Sequence, residues 1–319
     1  MLSEYALTPD IFSSSAHGSP ELAEARLQIL KPIVLEEAVV RNLRAGEWWT
    51  YIQAWTRTED CHRKAKELLK QIGKTRRLRD VRHLRIGDIQ PNTPEEWLLE
   101  ALISHEDEVL TGIITLPELA QQSPYQNNEI IARIDRLTNQ DWQDKRDHMI
   151  RISKQTSTYR KHLKLLFKCA NSIMFIDPYL DPSQSHYREF DYLLDLIKNS
   201  ETRIEIHLAA KGIGRDDNID RNTLTLQNWK NRFKALVPTL KTNTLEVQIF
   251  IWEYFHDRYI ITDLMGINLS SGLDVSPNSP VDWSRLPKRL LDQTQVDFNP
   301  NSSAYSLKFS FTLSEKQSL

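Results

Sequence analysis

Only two cysteines, Cys61 and Cys169, occur in the 319 residues. Two thiols build neither a disulfide framework nor a cysteine-rich zinc site, and they fit a reducing, cytoplasmic setting. Long apolar runs are missing too: no stretch approaches the roughly 18 residues of a membrane-spanning helix. The start, Met1-Leu2-Ser3-Glu4-Tyr5, lacks a basic region followed by an apolar one, so no secretory leader is expected. No spacing of His, Cys and carboxylates suits zinc or magnesium, and no metal or other cofactor is expected. There is no internal repeat. An excess of one charge sign is also absent, since the net charge is −2, which excludes a wholly basic nucleic-acid binder.

What is present describes a soluble globular protein, with 40% apolar and 26% charged residues and enough chain for two domains. The charges fall in blocks. Between Arg57 and Arg85 about eleven Lys and Arg face four acids, and from Ile86 to Asp135 about ten acids face one base. Such blocks serve as solvated helix faces or meet a partner.

Residues 1–20 read as an irregular arm. Ser19-Pro20-Glu21 is a capped helix start, and a helix is expected to residue 30, then a second over 33–43. Trp48, Tyr51 and Trp55 share one helical face and suit core packing, with a base-stacking platform as the alternative. Asn92-Thr93-Pro94-Glu95-Glu96 starts another helix, which turns Trp97, Leu98, Ala101 and Leu102 inward. Residues 127–137 and 141–170 read as helices, the second with Arg146, Arg151, Lys154, Arg160, Lys161, Lys164 and Lys168 on its exposed side. Residues 1–150 are therefore expected to form an all-helical domain.

The pattern changes after Ser172. Apolar, β-branched runs over 173–176, 203–208, 245–252, 259–261, 266–269 and 305–313 read as strands. Helical stretches over 190–197 and 224–237 lie between them, and 276–303 reads as loop. Residues 151–319 are expected to form an α/β sandwich with a mixed sheet. Within it, His256-Asp257-Arg258 is followed by Asp263. Strand alternation puts His256 and Arg258 on one face, and a base beside a fixed cation is how a strand would grip phosphate.

His256-x-Arg258 with four residues before Asp263 resembles the HxK(x)4D signature of the phospholipase D superfamily. Asp177-Pro178-Tyr179, the Ile204–Leu208 run, His256-Asp257-Arg258 and Gly272-Leu273-Asp274 together resemble the phospholipase-D-like domain that ends MIT-domain proteins. The resemblance covers about residues 160–319. It implies His256 as nucleophile, Arg258 as phosphate clamp and Asp263 as the signature acid. It also implies a phosphate-binding set of Arg258, Asn268, Ser270 and Ser271. Active members combine two signature copies. Here His186-Tyr187-Arg188 meets Leu193 where the acid should stand, and His83-Leu84-Arg85 meets Gln90. An active site would therefore need a homodimer that pairs the two His256 side chains.

Lysine is replaced by Arg258, which binds phosphate as a planar fork and not as a point charge. The downstream asparagine slot holds Leu273. These departures favour a module that recognises phosphodiesters, other phosphate-bearing ligands or a partner. The alternative is a dimeric, metal-independent nuclease or phosphodiesterase. Nucleic acid or another anionic phosphate ligand is the expected partner of the C-terminal half, and a protein that of the N-terminal half. The architecture suggests a prokaryotic multi-component, phage-defence-type system.

Overall fold

The structure, a computed structural model, describes the chain apart from residues 59, 83–88, 140, 141, 143, 145, 147 and 315–319, and apart from the side chains of 277 and 278. His83-Leu84-Arg85 and the end of the basic run lie outside the described residues. The chain divides into two compact units, Leu2–Asp147 and His148–Leu319 together with Met1.

The first unit is not all-helical. Five strands, β1 (Ser3–Leu7), β2 (Ala38–Asn42), β3 (Leu78–Asp80), β4 (Gly112–Thr115) and β5 (Ile131–Arg133), form a wholly parallel sheet in the order β3-β2-β1-β4-β5. Every residue of β1, β2 and β4 is buried. Strands covered on both faces lose the polar/apolar alternation that marks a strand, so β1 looks like an arm and β2 like the tail of a helix. The helices expected at Ser19 and Thr93 form as Pro20–Pro32 and Pro94–Asp107. Ser19 caps the first, and Thr93 with Glu96 closes a capping box on the second.

Trp48 sits in the core with Trp97, and Tyr51 and Trp55 pack against it, so the core use of that aromatic face is the one adopted. The basic block is partly internal. Arg77 and Arg79 are buried, and Arg79 pairs with Glu4 at 2.5 Å. Arg146 pairs with Glu37 at 2.8 Å.

The second unit is built on one mixed sheet of eight strands, β6 (Met149–Lys154), β7 (Ser172–Ile176), β8 (Arg203–Ala209), β9 (Val247–Trp252), β10 (Tyr259–Thr262), β11 (Gly266–Leu269), β12 (Ser276–Arg285) and β13 (Leu307–Leu313). Their order is β13-β9-β8-β7-β10-β11-β12-β6. β7, β8 and β9 run parallel, and the remaining pairs are antiparallel. Phe167 and Phe190 pack edge-on against Phe175 of β7. Another cluster joins Met174, Ile176, Phe250, Trp252, Ile261 and Phe298. The helix expected over 141–170 is instead β6 followed by a helix at Thr156–Cys169, and Lys154 is buried at the end of β6. The loop expected over 276–303 contains β12 and the helix Lys288–Asp297.

His207 illustrates how the core constrains charge. It is fully buried and stacks on Phe250 and Trp252. Its Nδ1 accepts from Trp252 Nε1 at 3.1 Å, which leaves the proton on Nε2, 3.2 Å from Glu205 Oε2. Burial pulls its pKa down, and does the same for His17, His105, His162 and His186. The unfolded chain then binds more protons below the ordinary imidazole value of about 6.5. The stability these neutral rings represent is complete above that value and is lost as pH falls through it. A lower denaturant midpoint at about pH 5.5 than at about pH 7.5 is expected; equal midpoints would refute the assignment.

Candidate phosphate-binding site

The site is assembled at the carboxyl ends of β7 and β8, where open α/β sheets commonly bind ligands. Antiparallel pairing brings the residues just before β10 to the same edge, because Tyr259 lies opposite Ile176. The turn after β7 is organised by Asp177, which is wholly buried. Its Oδ1 accepts from the Tyr179 amide at 3.0 Å, and its Oδ2 accepts from Tyr187 Oη at 2.8 Å and from the Leu273 amide at 3.0 Å. One carboxylate thus ties three chain segments together. Burial, with Asp177 as neighbour, raises the Tyr187 phenol well above its ordinary value, so it stays a donor. Gly272 is small for a reason: a Cβ there would overlap Asp177 Oδ2 and stand 2.7 Å from Tyr187 Oη.

The loop after β8 is pinned beside this turn. Gln184 Oε1 accepts from the Asp216 amide at 2.7 Å, and the Arg221 amide donates to Gly212 O at 2.8 Å. Asp181 is neutralised by Arg232 at 2.6 Å. On the other wall Lys154 Nζ donates to Asp274 Oδ1 at 2.5 Å and Ser271 Oγ at 2.9 Å. The acids of the walls therefore already have cations.

Between these walls lies a cavity of about 240 Å³, with Tyr179, His186, Arg215, Arg221, Arg258 and Ser271 in its lining. Arg221 is 2% exposed. Its Nη2 donates to Ala209 O at 2.7 Å, its Nε is buried without a partner, and no ion pair reaches it among the described residues. Burial lowers its pKa. Arg258 is half-buried and lies 5.4 Å over the Tyr179 ring; its Nη1 makes a 3.4 Å contact with His256 O. His186 is half-buried and its Nδ1 has no partner. Burial lowers its pKa, which Asp274, Asp216 and Asp177 oppose and Arg215 reinforces. Asp181 and Asp274 also line this partly open cavity, but they are paired with Arg232 and Lys154, and the cations left without carboxylate partners can accept an anion.

The sequence-based residues separate. Arg258 and Ser271 line the cavity. His256 is exposed in the segment that leads into β10, outside the strand itself; it packs edge-on against Tyr254 at 4.5 Å, touches that hydroxyl, and is not part of the lining. Asp257 turns to Tyr305 Oη at 2.6 Å and Tyr259 Oη at 3.2 Å, and burial with this carboxylate raises the Tyr259 phenol to about 12.

Asp263 lies at the far end of β10, where it accepts from the Asn171 amide at 2.9 Å and the Ser172 amide at 3.3 Å. Four extended residues separate it from Arg258, about 13 Å or more of strand, so it anchors the start of β7 and does not join the cavity. Asn268 is exposed on β11 opposite Tyr259, and Ser270 Oγ accepts from the Asp282 amide at 3.1 Å; neither lines the cavity. His186, Arg215 and Arg221 were not foreseen. No local pattern marks them, because they come from loops that only the sheet brings together. Among the described residues, no group of three or more His, Cys, Asp or Glu could hold a metal ion. No helix among them is long and apolar enough to cross a membrane.

No family model and no curated protein matches the chain. Among solved structures, TrmBL2, an archaeal chromatin protein described with a novel mode of DNA binding, is similar at a TM-score of 0.30 and 12% identity. That match covers 76% of this chain and 82% of that one. A polyphosphate kinase from Porphyromonas gingivalis is similar at 0.30 and 10%, covering 76% of this chain and 36% of that one. At these scores neither likeness carries an argument about fold or function.

Proposed function

We propose that the C-terminal unit is a phospholipase-D-like module that holds a phosphate group of its ligand and does not cleave it. One observation carries the reading: Arg221, Arg215 and Arg258 line one partly open cavity, and the histidine a nucleophilic mechanism would use is not in its lining. A covalent mechanism requires the nucleophile within bonding reach of phosphorus. Recognition requires only charge and donors.

Titration calorimetry with inorganic phosphate and with a bis-aryl phosphodiester tests this. Binding is expected in the unmodified protein, with a loss of about thirtyfold or more in Arg258→Ala and little change in His256→Ala. Turnover of the diester that disappears in His256→Ala would overturn the reading. It would favour the alternative, hydrolysis through His256 in a homodimer, which has one observation behind it: His256 is exposed and open to a second copy.

The imidazole adds a pH dependence. Burial favours neutral His186, whereas a bound anion favours the imidazolium, so binding takes up a proton. A phosphodiester keeps its own charge constant near neutrality, so its affinity is expected to rise from about pH 8 to about pH 6. His186→Gln is expected to flatten that rise; a profile unchanged by the substitution would remove His186 from the site.

A further inference from the structure

Two exposed tyrosines stand beside the cavity, each with a cation over its ring. Arg258 lies 5.4 Å from the centre of Tyr179, and Lys211 Nζ lies 4.3 Å from the centre of Tyr254. Both residues remain 43% exposed. They belong to one strip. The Lys211 amide donates to Glu253 O at 3.2 Å, which sets the loop after β8 against the residue before Tyr254. The next residue, Gly212, runs beside Tyr179, so that a Cβ on it would stand 3.8 Å from Tyr179 Cε1. Ring and cation therefore alternate from Tyr254 through Lys211 to Tyr179 and Arg258, where the strip enters the cavity.

That alternation fits a ligand whose own chemistry alternates. A lipid headgroup or a free phosphate would use the cavity and leave the rings without a role. A single-stranded polynucleotide has a phosphate and an unpaired base at every step. Its phosphates seek cations, and its bases stack on aromatic faces without regard to sequence. A duplex hides its base faces and could use only the cations. Glu253 is an exposed acid beside the strip, and its backbone carbonyl, not its side chain, holds the loop; Asp216 and Asp217, farther along that loop, are already engaged, by the Ser185 amide and Arg232.

We propose that the ligand of this site is single-stranded nucleic acid, with one backbone phosphate in the cavity on Arg221 and Arg258 and neighbouring bases stacked on Tyr179 and Tyr254. This rests on the phosphate-binding reading above and adds the class of ligand to it.

The test uses the full chain and four probes: a labelled oligothymidylate, the same strand in a duplex, inorganic phosphate, and phosphatidylcholine vesicles containing phosphatidic acid. The single strand is expected to bind more tightly than the duplex or the vesicles. Tyr179→Ala and Tyr254→Ala are each expected to weaken it about fivefold or more, with Tyr→Phe at either position near the unmodified value. Binding of inorganic phosphate is expected to be unaffected by Tyr254→Ala. Preference for the duplex or the vesicles, or a strand affinity indifferent to both alanine variants, would overturn the ligand class while phosphate binding stood. Failure to bind phosphate and oligonucleotide alike would overturn the phosphate-binding reading beneath it.

Discussion

Replacing Arg221 with methionine is expected to abolish phosphate binding and leave the protein as stable as before, or more so. Most buried charges do the reverse, since removing one partner of a pair strands the other. Arg221 has no such partner: the residue is 2% exposed, and its guanidinium donates to one carbonyl at 2.7 Å, leaves Nε unsatisfied and lies 5.1 Å over the Trp229 ring. Holding a cation there costs the folded state several kcal/mol of lost hydration, which the Trp229 face and the charges of Asp181 and Asp177 offset only in part, since burial still lowers its pKa. An incoming phosphate would offset more of it. Methionine reaches a similar distance, packs well against an indole and carries no charge. The expected loss of affinity is about 2–5 kcal/mol, the range found when one side of a desolvated charge pair is removed. Calorimetry with inorganic phosphate and a urea titration would be run on the same sample. A variant that binds normally, or one several kcal/mol less stable, would make Arg221 a structural residue.

The residues of the site differ in how plainly the sequence marks them. Arg258 was legible because it stands in a short ordered motif next to a strand. Arg221 and His186 come from the loops after β8 and β7, and only the parallel pairing of those strands brings them together. His186-Tyr187-Arg188 departs from a repeat of the motif at Leu193, and motif spacing carries no mark of a residue that a loop contributes. Asp263 shows the opposite error. Its spacing from Arg258 fits the motif, but on a strand that spacing carries it to the other end of the sheet, where it holds the Asn171 and Ser172 amides.

The fold divides in the same way. β7 and β9 are mainly apolar runs bounded by turns, β8 alternates as Arg203-Ile204-Glu205-Ile206-His207-Leu208, and each is expected as a strand. β12 was hidden by its prolines. Its register with β6 slips between Ser276 and Pro280, and an irregularity of that kind is where a ladder tolerates a residue with no N–H to give. β2 was hidden by position: Val39 and Val40 continue the spacing of the helix before them, and short apolar runs do not separate helix from strand by period alone. β5 likewise falls inside the helix expected over 127–137, and with all five strands missed a parallel α/β unit becomes an expected helical one.

Glu4→Ala is expected to cost the N-terminal unit about 3–5 kcal/mol, the usual penalty for stranding buried partners of an ion pair. Glu4 on β1 receives both prongs of Arg41 from β2 at 2.9 Å, and Arg79 from β3 at 2.5 Å. Arg41 is 0% exposed and Glu4 2%, so the carboxylate joins three parallel strands out of water. Its removal leaves Arg41 without its carboxylate in the core. Urea unfolding of the full chain should lower the midpoint of the N-terminal unit's transition and leave that of the C-terminal unit in place. Replacing Arg41 with methionine as well should recover part of the loss, because Arg41 is then no longer stranded and Arg79 keeps its pairing with Glu108. Recovery should stop short of the original stability. Arg41 Nη1 also donates to Ser104 O at 2.7 Å and Glu108 O at 2.6 Å, which closes the end of the helix Pro94–Asp107. A single variant within about 1 kcal/mol of the parent would mean that water enters the network, and the three strands would then owe their order to apolar packing alone.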